Sequence, residues 1–281
     1  APIGADGKTV IRLYYERRNV TLTLDTQGGS FADGVTPSVT QRYGTALSAL
    51  PTPTKEGCRF DGWYTDNACT TAFTAAAMPG ENTTLYAKWS AKPYTITFKD
   101  GEAVLATIGQ DYGTEITAPE NPTKEGYTFA GWDTEIPATM PARDMTIQAK
   151  WTVNQYTITF VTNGGTAIAS ITQDYGTALA LPTPAKEGYG FGGWYTNQNC
   201  TNRFTANTMP AENTTLYAKW NIGEYTLTFD TDGGSAVAPI SQKYGTAVTA
   251  PADPTREGYT FAGWDQTIPA TMPARSMTIK A

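Results

Sequence analysis

Tyr94-Thr-Ile-Thr-Phe98 alternates strictly, with Tyr94, Ile96 and Phe98 on one side and Thr95 and Thr97 on the other. Successive side chains of an extended chain leave opposite faces, so the stretch reads as a strand with one buried and one wet face. The pattern returns as Val20-Thr-Leu-Thr-Leu24, Tyr156-Thr-Ile-Thr-Phe160 and Tyr225-Thr-Leu-Thr-Phe229. Outward from each strand the same landmarks follow in the same order. A Tyr-Gly-Thr triplet starts at Tyr43, Tyr112, Tyr175 and Tyr244. A Glu-Gly-aromatic-x-Phe-x-Gly-Trp segment ends at Trp63, Trp132, Trp194 and Trp264, with Cys58 in place of the aromatic in the first copy. A closing Ala-Lys-Trp ends at Trp89, Trp151 and Trp220. A fixed order repeated along the chain is the mark of a repeat architecture.

The copies divide the chain into residues 18–90, 91–152, 153–221 and 222–281, the last stopping short of its closing Lys-Trp. Residues 1–17 read as the end of a preceding repeat, because Thr9-Val-Ile-Arg-Leu-Tyr-Tyr15 resembles a closing strand without its module. Both ends therefore look cut from a longer array, whose terminal repeats would carry caps. Copies one and three are long, with Tyr64-Thr-Asp-Asn-Ala-Cys69 and Tyr195-Thr-Asn-Gln-Asn-Cys200 after the Gly-Trp. Copies two and four are short, with Asp133-Thr-Glu-Ile-Pro137 and Asp265-Gln-Thr-Ile-Pro269. The linkers Ser90–Pro93, Thr152–Gln155 and Asn221–Glu224 are brief and not Gly/Ser-rich, which leaves neighbours little freedom. The expectation is a semi-rigid, elongated row, on the order of 110–140 Å if each bead is ~30 Å across.

Within a module, the opening strand runs into Asp25-Thr-Gln-Gly-Gly29, Val161-Thr-Asn-Gly-Gly165 or Asp230-Thr-Asp-Gly-Gly234, where glycines supply positive φ. Copy two shortens this to a tight Asp100-Gly101 turn. A second strand such as Ile171–Tyr175 follows. The next stretch, Thr177-Ala-Leu-Ala-Leu-Pro-Thr-Pro184, is interrupted by proline and has room for at most one short helical turn. In Tyr127-Thr-Phe-Ala-Gly-Trp132 the parity is odd, and a bulge at Gly131 would return Trp132 to the core side. The closing strand points Leu85, Ala87 and Trp89 inward. The fold class is thus mainly β, an α+β chain with about four strands and at most a short helix per module. A module of about 65 residues has a marginal core. The seven tryptophans Trp63, Trp89, Trp132, Trp151, Trp194, Trp220 and Trp264 are read as core.

The bulk numbers narrow the function. Net charge is −6 with no basic stripe, which disfavours nucleic acid and electrostatic docking on anionic lipid. No apolar run reaches the roughly 20 residues of a membrane span, so direct insertion is not expected. The start, Ala1-Pro2-Ile3-Gly4, lacks the features of a signal peptide, which places export signal and anchor outside these residues. Three cysteines are no disulfide framework; a Cys58–Cys69 bridge and three small unpaired thiols both stay open.

Taken together, Tyr-Thr-Ile-Thr-Phe, Gly-Gly, Tyr-Gly-Thr, Pro-Thr-Lys-Glu-Gly-Tyr-x-Phe-x-Gly-Trp, Met-Pro-Ala and Thr-Leu-Tyr-Ala-Lys-Trp resemble the Listeria–Bacteroides repeat, the family of the internalin B B-repeat, over roughly residues 18–281. The resemblance implies ubiquitin-like β-grasp modules, in which a small sheet curls over a short helical segment. It also implies large surface or secreted bacterial proteins, with arrays standing between a binding head and a cell-wall anchor. No catalytic motif comes with it.

There is no histidine, which removes the commonest general base and the Ser-His-Asp and Cys-His arrangements. Glu56, Glu125, Glu187 and Glu257 read as charges beside a turn glycine rather than as paired acids. Asp230-Thr-Asp232-Gly233 is too short for a calcium loop and reads as a turn, so neither metal nor cofactor is expected. Trp63, Trp132, Trp194 and Trp264 could stack on sugars but fit the core better. For Tyr64 and Tyr195, found only in the long copies, ligand contact and structure stay open. The expectation is a non-enzymatic, extracellular stalk of a bacterial cell surface. Its partners would be neighbouring repeats and a host or bacterial surface protein or glycan. The competing reading is a glycan- or host-protein-binding module that uses the long-copy loops.

Overall fold

The structure is a computed structural model and describes residues 12–281. Among the described residues there is no helix. The strands are β1 (Asn19–Asp25), β2 (Ser38–Arg42), β3 (Cys58–Tyr64) and β4 (Thr83–Ala91) in the first module. The second holds β5 (Pro93–Asp100), β6 (Ala103–Asp111), β7 (Tyr127–Trp132) and β8 (Met145–Val153). The third holds β9 (Gln155–Val161), β10 (Ile171–Asp174), β11 (Tyr189–Tyr195) and β12 (Thr214–Ile222). The fourth holds β13 (Glu224–Asp230), β14 (Ile240–Lys243) and β15 (Met277–Lys280). The chain clusters into two units, Ala1–Pro122 with Ala130–Lys150, and Thr123–Phe129 with Trp151–Ala281.

Each module is one small sheet. The orders are β2-β1-β4-β3, β6-β5-β8-β7, β10-β9-β12-β11 and β14-β13-β15. The opening strand pairs antiparallel with the second and parallel with the closing strand. Register is the same in every copy: Leu22 faces Thr83, Ile96 faces Met145, Ile158 faces Thr214 and Leu227 faces Met277. A one-residue slip would turn the buried set to solvent, so alternation fixes this register. Buried Val20, Leu22 and Leu24, and their counterparts Ile96 with Phe98, Ile158 with Phe160 and Leu227 with Phe229, are the inward set. The threonines opposite are not idle: Thr21 pairs with Thr40, Thr157 with Thr172 and Thr226 with Ser241 through hydroxyls 2.8–2.9 Å apart.

The proline-interrupted crossover is extended rather than helical, which corrects the short helical segment implied by resemblance. Prolines such as Pro51 and Pro53 deny it the helical ladder. It is held by a reciprocal bond pair instead. Gly44 N–H donates to Met78 O at 3.0 Å and Met78 N–H to Thr45 O at 2.8 Å. The same pair joins Gly113 and Thr114 to Met140, Gly176 and Thr177 to Met209, and Gly245 and Thr246 to Met272. The four methionines are fully buried, and each sits at the centre of its module's core.

Register breaks between Phe60 and Gly62 and between Phe191 and Gly193 put a bulge before the tryptophan in the two long modules, at the places equivalent to Gly131, which shares their positive φ. Trp63 and Trp194 are buried, and Trp132 and Trp264 pack half-buried against their clusters. The Gly-Gly reading needs correction. Positive φ falls on Gln27 and Gly28, Asn163 and Gly164, and Asp232 and Gly233, not on the second glycine. The second glycine is required for room: a Cβ on Gly29 would lie 2.6 Å from the Trp89 ring and one on Gly165 2.5 Å from Trp220. Residues 9–11 of the stretch resembling a closing strand lie outside the described residues. Among the described residues, Leu13, Tyr14 and Tyr15 are exposed and lie outside any strand.

Candidate functional site

Between modules the four-residue linkers shrink to a single residue, because strands run up to it from both sides. Lys92 alone separates β4 from β5, Asn154 separates β8 from β9 and Gly223 separates β12 from β13. Each uses both of its backbone groups. Lys92 N–H donates to Gly57 O at 2.8 Å, and Lys92 O accepts from Tyr112 N–H at 2.9 Å. Asn154 makes the same bonds to Gly126 and Tyr175, and Gly223 to Gly188 and Tyr244. The glycine belongs to the Glu-Gly turn of one module and the tyrosine to the Tyr-Gly-Thr of the next.

The tyrosine ring lies flat over that glycine. A Cβ built on Gly57, Gly126 or Gly188 would come within 2.0–2.1 Å of a ring carbon of Tyr112, Tyr175 or Tyr244. These glycines are buried, with φ between 67° and 75°, a backbone state that other residues adopt at a cost. Two demands therefore meet at one position. In the later junctions the residue after the glycine adds an edge-on ring, Tyr127 against Tyr175 at 5.9 Å and Tyr189 against Tyr244 at 6.0 Å. Cys58 occupies that place in the first junction, so Tyr112 lacks this ring contact.

The cation before Glu-Gly, a lysine in the first three copies and Arg256 in the fourth, was passed over by sequence reasoning in favour of the glutamate, and it ties the turn to its own module. Lys186 Nζ donates to Asn163 O at 2.9 Å and sits 4.7 Å from the Tyr189 ring centre and 5.8 Å from that of Trp220. Lys55 bonds Gln27 O and lies over Trp89. A cation over an indole face is attracted by the ring quadrupole. Trp89 and Trp220 in turn donate their indole N–H to Thr26 O and Thr162 O at 2.9 and 2.8 Å. Glu56, Glu125, Glu187 and Glu257 are exposed beside the turn.

The long-module loops form a second cluster. The Asp66 carboxylate accepts from the N–H groups of Thr70 and Thr71, and Asn197 Oδ1 takes the matching bonds from Thr201 and Asn202. Those backbone donors hold the Asp66 carboxyl below the usual aspartate range. Asp61 is likewise lowered, chiefly by the Ser90 hydroxyl and further by Arg59. Tyr64 is half-buried with Lys88 4.7 Å from its ring centre; Tyr195 is 9% exposed with Lys219 at 5.0 Å. A cation thus already lies over each ring. Trp63 and Trp194 spend their indole N–H groups on Pro51 O and Pro182 O, inside the module. Cys58, Cys69 and Cys200 are free thiols; Cys58 opens β3, whereas Cys69 lies in the loop beyond its far end. Asp232 is paired with Arg256 at 3.1 Å, within the turn.

Comparison with known proteins agrees with the geometry. The sequence profile of the Listeria-Bacteroides repeat domain matches residues 21–88, 94–150, 156–219 and 225–276. The chain is 34% identical over 275 residues to a protein named as a Gly-rich membrane protein in Evansella cellulosilytica, covering 92% of this chain and 31% of that one. A second protein of that organism, named as a membrane protein, is 35% identical over 262 residues, covering 87% of this chain and 39% of its own length. Internalin H of Listeria monocytogenes is 39% identical over 140 residues, 45% of this chain and 25% of that protein. The chain spans well under half the length of each.

Proposed function

Because the chain belongs to the Listeria-Bacteroides repeat domain family, we propose that it is a non-catalytic spacer in a bacterial cell-surface or secreted protein. It holds other parts of that protein apart and presents them for adhesion to host or neighbouring surfaces. One observation carries the reading: the same joint, a buried glycine under the next module's tyrosine with both bonds on one residue, occurs at Gly57, Gly126 and Gly188. A flexible tether needs no such joint, whereas a spacer needs neighbours that keep their orientation.

Nuclear magnetic relaxation on the full chain tests it. Amides of the third and fourth modules should share one rotational correlation time, and Tyr244→Ala should let the fourth tumble faster on its own. A fourth module that already tumbles independently in the unsubstituted chain would sink the spacer reading.

A second reading takes the long-module loops as a site for a glycan or host protein. Its support is that both loops are built alike, around Asp66 and Asn197. Against it stand Tyr64 and Tyr195, whose rings are already engaged by lysines. Binding to a displayed glycan or host-cell surface, lost on joint Tyr64→Ala and Tyr195→Ala substitution with folding intact, would favour it.

A further inference from the structure

A spacer need only hold distance; the strand order suits each module to something more demanding. The chain enters the first module at the start of β1 and leaves at the end of β4, and these two strands are parallel neighbours at the centre of the sheet. Tension between the chain ends therefore draws β1 back toward Asn19 and β4 forward toward Ala91. The two slide along their common axis, and the interstrand bonds share the load instead of opening in turn. The pairs β5 with β8, β9 with β12 and β13 with β15 repeat this geometry.

Each pair is also lengthened by bonds outside the strand ladder. The residue just before every closing strand accepts from a threonine N–H of the opening strand. Thr21 donates to Asn82 at 2.9 Å, Thr95 to Asp144 and Thr157 to Asn213 at 2.8 Å, and Thr226 to Ser276 at 3.1 Å. At the other end, the indole bonds from Trp89 to Thr26 and from Trp220 to Thr162 tie the two strands again. Between these ends lie Leu22, Leu24 and Leu85, at most 3% exposed, so water cannot replace the central bonds as they stretch.

We infer that each module is a shear clamp, and that the array bears tensile load along the chain, as between an anchored surface and whatever pulls on the other end. The clamp is a property of each module alone, so a failed relaxation test of the spacer reading leaves it standing, and the reverse also holds.

Single-molecule pulling on the full chain tests it. In one arrangement the chain is held by its two ends; in the other, by its C-terminal end and a tag inserted between Asp33 and Gly34. Those residues lie in the exposed loop joining β1 to β2. The second arrangement grips β1 and β4 at the same end and opens their pair bond by bond. The rupture force of the first module should fall several-fold in the second arrangement, while the other three modules, still loaded end to end, keep theirs. Asn82→Ala should lower the first module's end-to-end rupture force and leave its loop-held force unchanged. Equal rupture forces in the two arrangements would overturn the inference.

Discussion

The third and fourth modules begin alike and finish differently. β12 has nine residues, of which Thr214–Tyr217 pair with β9 and Tyr217–Ile222 with β11. β15 has four, all facing β13. In the third module Tyr189–Tyr195 is a strand, whereas Tyr259–Trp264 in the fourth is not. Gly188 is buried under Tyr244, but Gly258 has nothing within 4 Å and Tyr259 is 69% exposed. In the third module Trp220 packs against Gly165 and Phe191, and the second half of β12 pairs with β11 beside it, so the third strand and the glycine of the joint are held from one side.

The largest effect should come from making the third module resemble the fourth. Trp220→Ala removes the ring that covers Gly165 and contacts Phe191, and should cost about 3 kcal/mol. Denaturant titration reads the loss, and hydrogen exchange should place it first at the amides of β11. Next is a paired substitution. Gly258→Ala meets open space and should cost about 1 kcal/mol for its positive φ alone. Gly188→Ala must also displace the Tyr244 ring and should cost about 2–3 kcal/mol, with faster tumbling of the fourth module. Equal costs at the two glycines would refute the ring contact.

The smallest effect extends the comparison to the first module. Asp66 holds its loop as a carboxylate, Asn197 as a neutral amide. The carboxyl's folded pKa is lowered, so the stability it adds is present above the ordinary aspartate value and is lost as pH falls through the lower folded value. Between about pH 5 and pH 2 the Thr70 and Thr71 amide signals should shift while those of Thr201 and Asn202 hold.

Much of the fold was legible in the sequence because its signals are periodic. Alternation set the faces of the opening strands, and the odd parity of Tyr127–Trp132 called for the bulge that Gly62 and Gly193 make. The methionines were harder. Met78 and its counterparts lie in stretches without alternation, and their burial follows from bonds to a Gly-Thr pair 26–34 residues earlier, Gly44 and Thr45 in the case of Met78. The joint was hidden for the same reason. Nothing local to Gly57 announces that Tyr112 will cover it; only the positive φ of a Glu-Gly turn could be suspected. For Tyr64 and Tyr195 ligand contact and structure stayed open in the sequence because the lysines over them, Lys88 and Lys219, lie on the closing strand, two dozen residues on.

Lys92, Asn154 and Gly223 share no side-chain chemistry, yet their peptide groups make identical bonds; the Asn154 amide adds a bond from the Thr128 hydroxyl at 2.6 Å. Such a coupling is carried by the backbone, although at Gly223 a Cβ would meet Tyr225 Oη at 2.8 Å, so that joint is closed to a larger residue. Each module from the first to the third carries its own Glu-Gly turn, and each from the second to the fourth its covering tyrosine, so a copied module brings both halves of the joint with it and an array can lengthen by whole units.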